Sequence, residues 1–578
     1  MKKSVTAKLM RYIGKYKLSI VLSLLFALIN VSCVLVSPVL IGDAIDNIIG
    51  EGNVNFAAVT KILIGVAVIT VGASVFKWLM LLCTNHVAYS TVHDIRNQVY
   101  AKFNSVPLKY IDSHPHGDLI SRVINDVDNI GDGLIQCINQ LFSGVVTIVG
   151  TFVFMLSINF EITVIVVLIT PLSLFVAAFI GRMSAKTFRD QAKTQGELSS
   201  FVEEMIGNQR IVKTFEYEDD AQETFEEINA RLYKSGQKSQ LYSSLANPCT
   251  RFVNAVVYAG VGVFGAISAV NGTLTVGQIS CFLSYAKQYT KPFNEITSVV
   301  TQLQTAIASA GRIFEVLEAD DQSSDEPGKE LEGCKGNVDF DKVCFSYTPE
   351  RELIKNFTLN VKSGQRVAIV GPTGCGKTTL INLLMRFYDT GSGTISIDGL
   401  PVNDIKRDSL RTSFGMVLQE SWLYNATIRD NIAYGKPDAT DEEIKKAAKA
   451  SYAHSFIKRL PDGYDTVISE DGENLSQGQK QLLCIARVML CNPTMLILDE
   501  ATSSIDTLTE QRVQKAFAKL MKGKTSFIVA HRLSTIRDAD MILVMRDGNI
   551  IEHGTHDELL KQGGFYKELY FAGSIAAL

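Results

Sequence analysis

Long stretches without charged side chains constrain the fold of this chain more than any other feature. The residues from Leu18 to Ile41 carry no charge, and several later stretches are almost as apolar. A helix needs about 20 apolar residues to cross a hydrocarbon layer about 30 Å thick. The mean hydropathy of the whole chain is +0.15, which is high for a soluble protein of this size. The sequence therefore predicts a helical membrane domain.

Six stretches satisfy this pattern. The predicted spans are 18–41, 62–83, 141–160, 162–181, 252–270 and 276–300. Lysine and arginine precede the first span, whereas Asp43 and Asp46 follow it, so the bias of positive charge predicts that both termini are cytoplasmic. The long connections 84–140 and 182–250 then lie on the same side, and their apolar spacing predicts that the helices continue through them.

The sixth span is the least apolar, because it carries Lys287, Lys291 and Glu295. Ammonium groups within a membrane are costly unless they face water or a partner. Two interpretations follow. The lysines line a transport cavity and favour an anionic substrate, or they reach the interface or pair with a neighbouring acid.

Composition excludes several classes of protein. The net charge is −4, with acids and bases interspersed, which argues against nucleic acid as a partner. The ten cysteines form no CxxC pair, so neither a zinc site nor a disulfide framework is indicated. Residues 318–336 are acidic and rich in Ser, Pro and Gly, and they are interpreted as a linker between a transmembrane domain (1–317) and a second domain (337–578).

The second domain contains a phosphate-binding motif. A strand-like RVAIV precedes GPTGCGKTT, in which Gly371, Gly376, Lys377 and Thr378 match the phosphate-loop pattern at the start of a predicted helix. Backbone N–H groups of such a loop bind phosphate oxygens. We expect Lys377 to reach the β- and γ-phosphates and the Thr378 hydroxyl to bind Mg²⁺.

A second strand, MLILDE, ends in Asp499 and Glu500. Side chains at the carboxyl ends of parallel strands lie beside the ligand in an open α/β sheet. Asp499 is suited to hold Mg²⁺ through water, and Glu500 to act as the base that activates the attacking water.

These motifs resemble the half-transporters of the ATP-binding cassette exporter family, over almost the whole chain. The resemblance implies a multi-domain membrane protein: an all-α six-helix transmembrane domain followed by an α/β P-loop nucleotide-binding domain. It also implies that two chains form a dimer and sandwich two ATP molecules. Helices four and five would cross to the partner, and YIDSHPHGDLISRVINDVDNI (Tyr110 to Ile130) is similar to the first coupling segment.

The resemblance assigns further residues. Tyr347 resembles the aromatic that stacks on adenine, Gln419 the glutamine between Mg²⁺ and water, and His531 the switch histidine; SSID (Ser503 to Asp506) and Glu470 resemble loops that couple the two subunits. The implied catalytic residues are Glu500, His531 and Gln419, and the implied Mg²⁺ residues are Thr378, Gln419 and Asp499. The implied ATP-binding residues are Tyr347, Gly371, Pro372, Thr373, Gly374, Cys375, Gly376, Lys377, Thr378, Thr379, Gln419 and Asp499, with Ser476, Gly478 and Gln479 facing the partner's ATP. Cys375 is expected to face the nucleotide, so that its alkylation would block ATP.

The function implied is ATP-driven export of a hydrophobic or amphipathic substrate across the cell membrane, because importers of this superfamily usually keep the two domains on separate chains. The alternatives are an ATP-gated channel or receptor and a membrane-anchored ATPase without transport activity. Six fused spans argue against the latter. Membrane lipids are expected partners.

One position departs from the family pattern. The signature is usually LSGGQ, but Gln477 replaces its first glycine in LSQGQ. A side chain there is expected to crowd a loop close to the partner's nucleotide and to remove the conformational freedom of glycine. The motif for hydrolysis is otherwise intact. This combination resembles heterodimeric exporters, so a second, related half-transporter is the predicted partner, with a homodimer as the alternative.

Overall fold

The computed structural model describes residues 2–48, 54–348, 352–419, 421–469, 474–499, 506–529 and 536–571. The chain divides into two compact units. The first comprises Met1–Ser105 and His114–Ala319, and the second comprises Val106–Ser113 and Asp320–Leu578. The short segment Val106–Ser113 therefore groups with the second unit, although the sequence places all of 1–317 in the transmembrane domain.

Long helices form the first unit. Together with shorter ones, the helices of this half are α1 (Lys2–Ile13), α2 (Lys17–Asp46), α3 (Phe56–Ser105), α5 (His116–Ser121), α6 (Val127–Gln136), α7 (Ser143–Ile158), α8 (Phe160–Gly207), α9 (Gln209–Thr214), α10 (Glu218–Val270) and α11 (Val276–Leu317). The short helix α4 (Leu108–Asp112) lies between α3 and α5 in the chain and belongs to the second unit. Two π-helical stretches, Arg122–Asp126 and Cys137–Phe142, join α5 to α6 and α6 to α7. Several helices extend far beyond the spans read from hydropathy.

Four helical stretches among the described residues are long and apolar enough to cross a membrane. They are Val5–Asp46, Phe56–Ser105, His116–Ile158 and Glu218–Val270, and they hold the first, second, third and fifth expected spans. The fourth expected span falls in α8, where Phe160–Thr170 is a shorter apolar stretch. The sixth falls in α11, whose charged residues lower its hydropathy. The fourth and sixth spans stay predictions.

Polar side chains join helices inside the first unit. The hydroxyls of Ser23 on α2 and Thr84 on α3 lie 2.9 Å apart, and Asn30 Nδ2 donates to the Ala73 carbonyl at 2.7 Å. The Tyr285 hydroxyl on α11 donates to the Leu35 carbonyl. Large apolar side chains on the outside are exposed, as expected of helices that face lipid.

A charged cluster lies beyond the expected spans. Asp126 is only 2% exposed, and it accepts hydrogen bonds from Ser309 Oγ at 2.8 Å and from Arg312 Nε at 2.7 Å. Next to Asp126, Arg122 forms an ion pair with Glu315, with 3.1 Å between Nη1 and Oε2. Since Ser309, Arg312 and Glu315 all lie near the carboxyl end of α11, these bonds tie α11 to the π-helical stretch before α6.

The described residues of the second unit form two sheets. Its strands are β1 (Val338–Phe345), β2 (Ile354–Val361), β3 (Arg366–Val370), β4 (Ser392–Ile397), β5 (Leu400–Pro401), β6 (Phe414–Val417), β7 (Met495–Asp499), β8 (Thr525–Val529), β9 (Met541–Arg546) and β10 (Asn549–Gly554). One sheet has the order β2-β1-β4-β5 and is antiparallel. The other has the order β10-β9-β3-β8-β7-β6, in which only β10 runs antiparallel to its neighbour.

Nine α-helices are described in the rest of this unit. They are α12 (Lys377–Leu384), α13 (Arg407–Thr412), α14 (Ile428–Ala433), α15 (Asp441–Ala450), α16 (His454–Ile457), α17 (Gln477–Cys491), α18 (Thr507–Met521), α19 (His556–Gln562) and α20 (Phe565–Phe571). Threonine and serine caps fix several starts: Thr440 with Glu443 caps α15, and Ser476 with Gln479 caps α17.

The parallel strands are buried on both faces. On β3, Val367 and Ile369 join the apolar cluster beside the antiparallel sheet, whereas Ala368 and Val370 join the cluster on the opposite face. Successive side chains of a strand point to opposite faces, so a continuous apolar run such as RVAIV is what a doubly covered strand requires. The polar groups of this sheet are consequently confined to its edges.

Candidate functional site

The phosphate-loop motif forms the connection between β3 and α12. Gly371 directly follows β3, and a Cβ there would lie 2.2 Å from the Met545 carbonyl oxygen, so only glycine allows this close approach. Gly374 and Gly376 have φ values of +80° and +104°, which favour glycine. Gly376 caps α12, which begins at Lys377. The loop therefore ends at a helix N-terminus, as the motif requires.

Lys377 lies across this loop. Its Nζ donates hydrogen bonds to the carbonyl oxygens of Gly371 at 2.7 Å and of Pro372 at 3.2 Å. Thr373 and Thr378 are exposed at the same loop. A cation, the N-terminus of α12 and glycine backbone together fit a polyphosphate, because both the charge and the N–H groups favour an anion there.

The carboxyl edge of the parallel sheet brings in two more predicted residues. Asp499 is the last residue of β7 and pairs in register with Val529, where β8 ends. Gln419 lies two residues beyond the end of β6 and is exposed. Because β3, β8, β7 and β6 are consecutive parallel neighbours, the phosphate loop, Asp499 and Gln419 share one edge of the sheet.

Tyr347 lies beside the phosphate-loop helix and is 37% exposed. Its hydroxyl donates to Thr379 Oγ1 on α12 at 3.2 Å, and Asn382 Nδ2 donates to that hydroxyl at 3.3 Å. Its ring packs edge-on against Phe345 and Tyr388, with centroids 4.9 and 5.0 Å away. An exposed ring held next to the loop is suited to stacking on a base.

The expectation for Cys375 is wrong. Its side chain is 3% exposed and belongs to the apolar cluster between the two sheets, and this burial raises the pKa of the thiol. The flanking glycines turn the loop so that this side chain points into the core while the backbone stays at the surface. Alkylation is therefore not expected to report on the nucleotide.

The signature segment begins a helix. Ser476 caps α17, and Gln477 is its first residue, with an exposed side chain. Gly478 is buried, and the Gln479 side chain accepts a hydrogen bond from the Ser476 N–H at 3.0 Å. Gln477 is not among the residues with positive φ, so this position does not need the conformational freedom of glycine. The substitution adds a side chain at the helix N-terminus without backbone strain, which corrects that part of the expectation.

Several predicted residues lie outside the described residues. They are Glu470, Glu500, the Ser503–Ile505 part of SSID, and His531. Asp506, the last residue of SSID, caps α18 by accepting a hydrogen bond from the Thr509 N–H at 2.9 Å. The roles given to Glu500 and His531 stay predictions.

Sequence reasoning missed two supports of the site. The Gly548 N–H donates to the Cys375 carbonyl at 3.1 Å, and a Cβ on Gly548 would lie 1.4 Å from the Leu353 carbonyl oxygen. Gly548 follows Asp547 at the β9–β10 turn, and an Asp-Gly pair between apolar runs is a hairpin signal that could have identified it. The Tyr388 hydroxyl donates to the carboxylate of Asp112 on α4. Burial, then this bond, raises the pKa of Tyr388. No local pattern marks that pairing.

Comparison with known proteins agrees with these observations. Residues 20–293 match the family "ABC transporter transmembrane region", and residues 354–503 match the family "ABC transporter". A fatty acid ABC transporter ATP-binding/permease protein of Mycobacterium tuberculosis is 42% identical over 90% of this chain and 83% of its own length. An ABC transporter ATP-binding protein of Bacillus subtilis, YfiC, is 38% identical over 98% and 94%. An ATP-dependent lipid A-core flippase of Desulfotalea psychrophila is 36% identical over 98% and 99%.

Proposed function

This chain belongs to the ABC transporter family as an exporter-type half-transporter with an ATPase coupled to transport, and we propose that it exports a hydrophobic or amphipathic substrate across the cell membrane as half of a dimer. The observation that carries the proposal is the pairing, in one chain, of a phosphate loop at the carboxyl edge of a parallel sheet with long apolar helices. Both termini are proposed to be cytoplasmic, and no nucleic acid is expected as a partner.

The proposed substrate has an acyl chain. Relatives named for a fatty acid and for a lipid A core cover most of this chain at 42% and 36% identity, and both names describe amphipathic molecules. The exposed apolar surface of the long helices suits exchange of such a molecule with the surrounding lipid.

Each site residue has a proposed role in hydrolysis. Backbone N–H groups of the loop and Lys377 bind the phosphates, and Tyr347 stacks on adenine. Mg²⁺, when bound, offsets the negative charge of the phosphates; Thr378, Gln419 and Asp499 are the residues that would hold it. Glu500 accepts the proton of the attacking water, and His531 contacts the γ-phosphate.

The proposed dimer completes this site. Ser476, Gly478 and Gln479 at the N-terminus of α17 would face the γ-phosphate on the partner, because a helix N-terminus favours an anion. ATP can drive a switch only by binding the closed dimer more tightly than the open one. Hydrolysis then removes that preference and returns the transporter to its starting state.

We favour a heterodimer over a homodimer. Gln477 places a long side chain at the N-terminus of α17, toward the partner's nucleotide, while the chain's own phosphate loop keeps its motif. One impaired and one competent ATP site would result. The test is to purify the chain alone and together with a related half-transporter. Full stimulated ATPase activity of a stable homodimer would contradict the heterodimer.

The export proposal is tested in sealed liposomes with an acyl-chain probe. We expect ATP to drive accumulation of the probe against its gradient, and Lys377→Ala to abolish it by weakening phosphate binding. Movement only down the gradient would favour the gated channel. Hydrolysis without any movement of probe would favour the anchored ATPase.

A further inference from the structure

A cavity of about 720 Å³ lies between α10 and α11 in the first unit. Three cationic side chains line it, namely Arg251 from α10 and Lys287 and Lys291 from α11. None of the described residues in its lining carries a carboxylate. The rest of the wall is largely small or apolar and includes Val257 and Ala286. The cavity therefore combines positive charge with apolar surface.

Two of these cations lack a counter-charge within the described part of the chain. Lys291 Nζ lies 4.0 Å from Oε1 of Glu295, which is one turn further along α11. Lys287 and Arg251 form no ion pair with any described residue. Asn254, on the same wall, has a buried Oδ1 without a described hydrogen-bond partner. The interpretation that the lysines pair with acids thus holds for Lys291 and not for Lys287.

The three cations lie at different depths along the helical hairpin that α10 and α11 form. Measured along the helices from Val270 and Val276, Lys287, Lys291 and Arg251 lie about 16, 22 and 28 Å away at 1.5 Å per residue. A hydrocarbon layer is about 30 Å thick. Measured from the turn between α10 and α11, Lys287 therefore lies near the middle of the layer, and Arg251 lies near the boundary opposite the turn. Unpaired charges at such depths are costly unless a partner offsets them.

We infer that this cavity binds the anionic head, a carboxylate or a phosphate, of an acyl-chain amphipath. Arg251 lies where such a head would enter from the boundary, and Lys287 would hold it at mid-depth, while the apolar wall contacts the chain. This inference rests on the proposed export function and adds charge selectivity to it.

The experiment measures binding to the full-length chain in nanodiscs of zwitterionic lipid, without nucleotide. The probes are hexadecyl phosphate, hexadecanol and inorganic phosphate. We expect the double variant Arg251→Gln, Lys287→Gln to bind hexadecyl phosphate about tenfold more weakly or worse, since bonds to charged groups are lost. Binding of hexadecanol should not change. Lys287→Arg should keep the tight binding, because it keeps the charge.

Lys77→Gln is the matched control, because Lys77 is a membrane lysine on α3 outside this cavity. Equal loss of binding in that control would overturn the inference, as would equal affinity of the wild-type chain for hexadecyl phosphate and hexadecanol. If inorganic phosphate bound as tightly as hexadecyl phosphate, the requirement for an acyl chain would be wrong. ATP-driven transport of a neutral probe is measured separately. Transport without selectivity for the anionic head would contradict only this inference. Selective binding of the anionic head without transport would contradict only the export proposal.

Discussion

The two halves of the chain use polar side chains in opposite ways. In the second unit the central residues of the parallel strands are apolar on both faces, and the polar groups of the candidate site lie at one edge, which holds the phosphate loop, Asp499 and Gln419. In the expected spans of the first unit many exposed side chains are apolar, and polar side chains such as Ser23, Thr84 and Asn30 bond helix to helix. Polar groups therefore hold a ligand in one half and hold the fold in the other.

The exceptions to this division are informative. Lys287 and Arg251 are polar groups of the first unit that bond no described neighbour across the bundle. Tyr388 and Asp112 are polar groups of the second unit that bond each other away from the edge with the phosphate loop. Three substitutions test the division, beginning with the one of largest expected effect.

Glu500→Gln should slow ATP turnover by about 10²–10⁴-fold, because it removes the proposed general base. Nucleotide binding should persist, since the substitution keeps the size of the side chain. The measurement is steady-state hydrolysis together with retention of labelled ATP. Glu442→Gln, at an exposed position of α15, is the control and should hydrolyse normally. A wild-type rate of ATP hydrolysis in Glu500→Gln would show that the role of general base is assigned to the wrong residue.

Asp126→Ala should lower the free energy of unfolding by about 1.5–3 kcal/mol, the range for hydrogen bonds to a charged group. It removes the buried acceptor of Ser309 and Arg312. Chemical unfolding of the chain in detergent is the measurement. The neighbouring Asp128→Ala removes an exposed pair with Arg96 and should cost less than about 1 kcal/mol. Equal losses would mean that burial does not distinguish these two pairs.

Tyr388→Phe should have the smallest effect, about 1 kcal/mol on stability, because Asp112 is exposed and can bond water instead. The ring contacts with Tyr347 remain, so ATP affinity should hardly change. Thermal unfolding with and without ATP measures both quantities. Tyr464→Phe, which removes a bond to His454 at 2.7 Å, is the comparison. A large loss of ATP affinity in Tyr388→Phe alone would make this tyrosine part of the site.

The sequence predicted features that short-range patterns determine. The phosphate loop depends on a strand, a turn and a helix in direct succession, and Asp499 depends on the end of a buried strand; the structure has both patterns. The direction of the Cys375 side chain depends on the strands packed around the loop, so the motif alone misplaced it. The bond from Gly548 to the loop and the pairing of Asp112 join residues far apart in sequence, which no periodicity reveals.

The membrane half was less predictable for a related reason. Hydropathy averages over a window, so Lys287 and Lys291 lower the value for the predicted sixth span, although its helix is continuous from Val276 to Leu317. The π-helical stretches between α5 and α7 leave no composition signal either.

The hydrogen bond between the Gly548 N–H and the Cys375 carbonyl makes the Gly548 amide a reporter of nucleotide binding to the phosphate loop, although Gly548 is far from the loop in sequence. A ligand that stabilises the closed loop must also disfavour every opening reaction that requires the loop to separate from the β9–β10 turn. The amide proton of Gly548 would then exchange with solvent deuterium more slowly as ATP concentration rises, in proportion to loop occupancy. One backbone amide, in a hairpin outside the motif, would thus serve as a titration signal for the nucleotide.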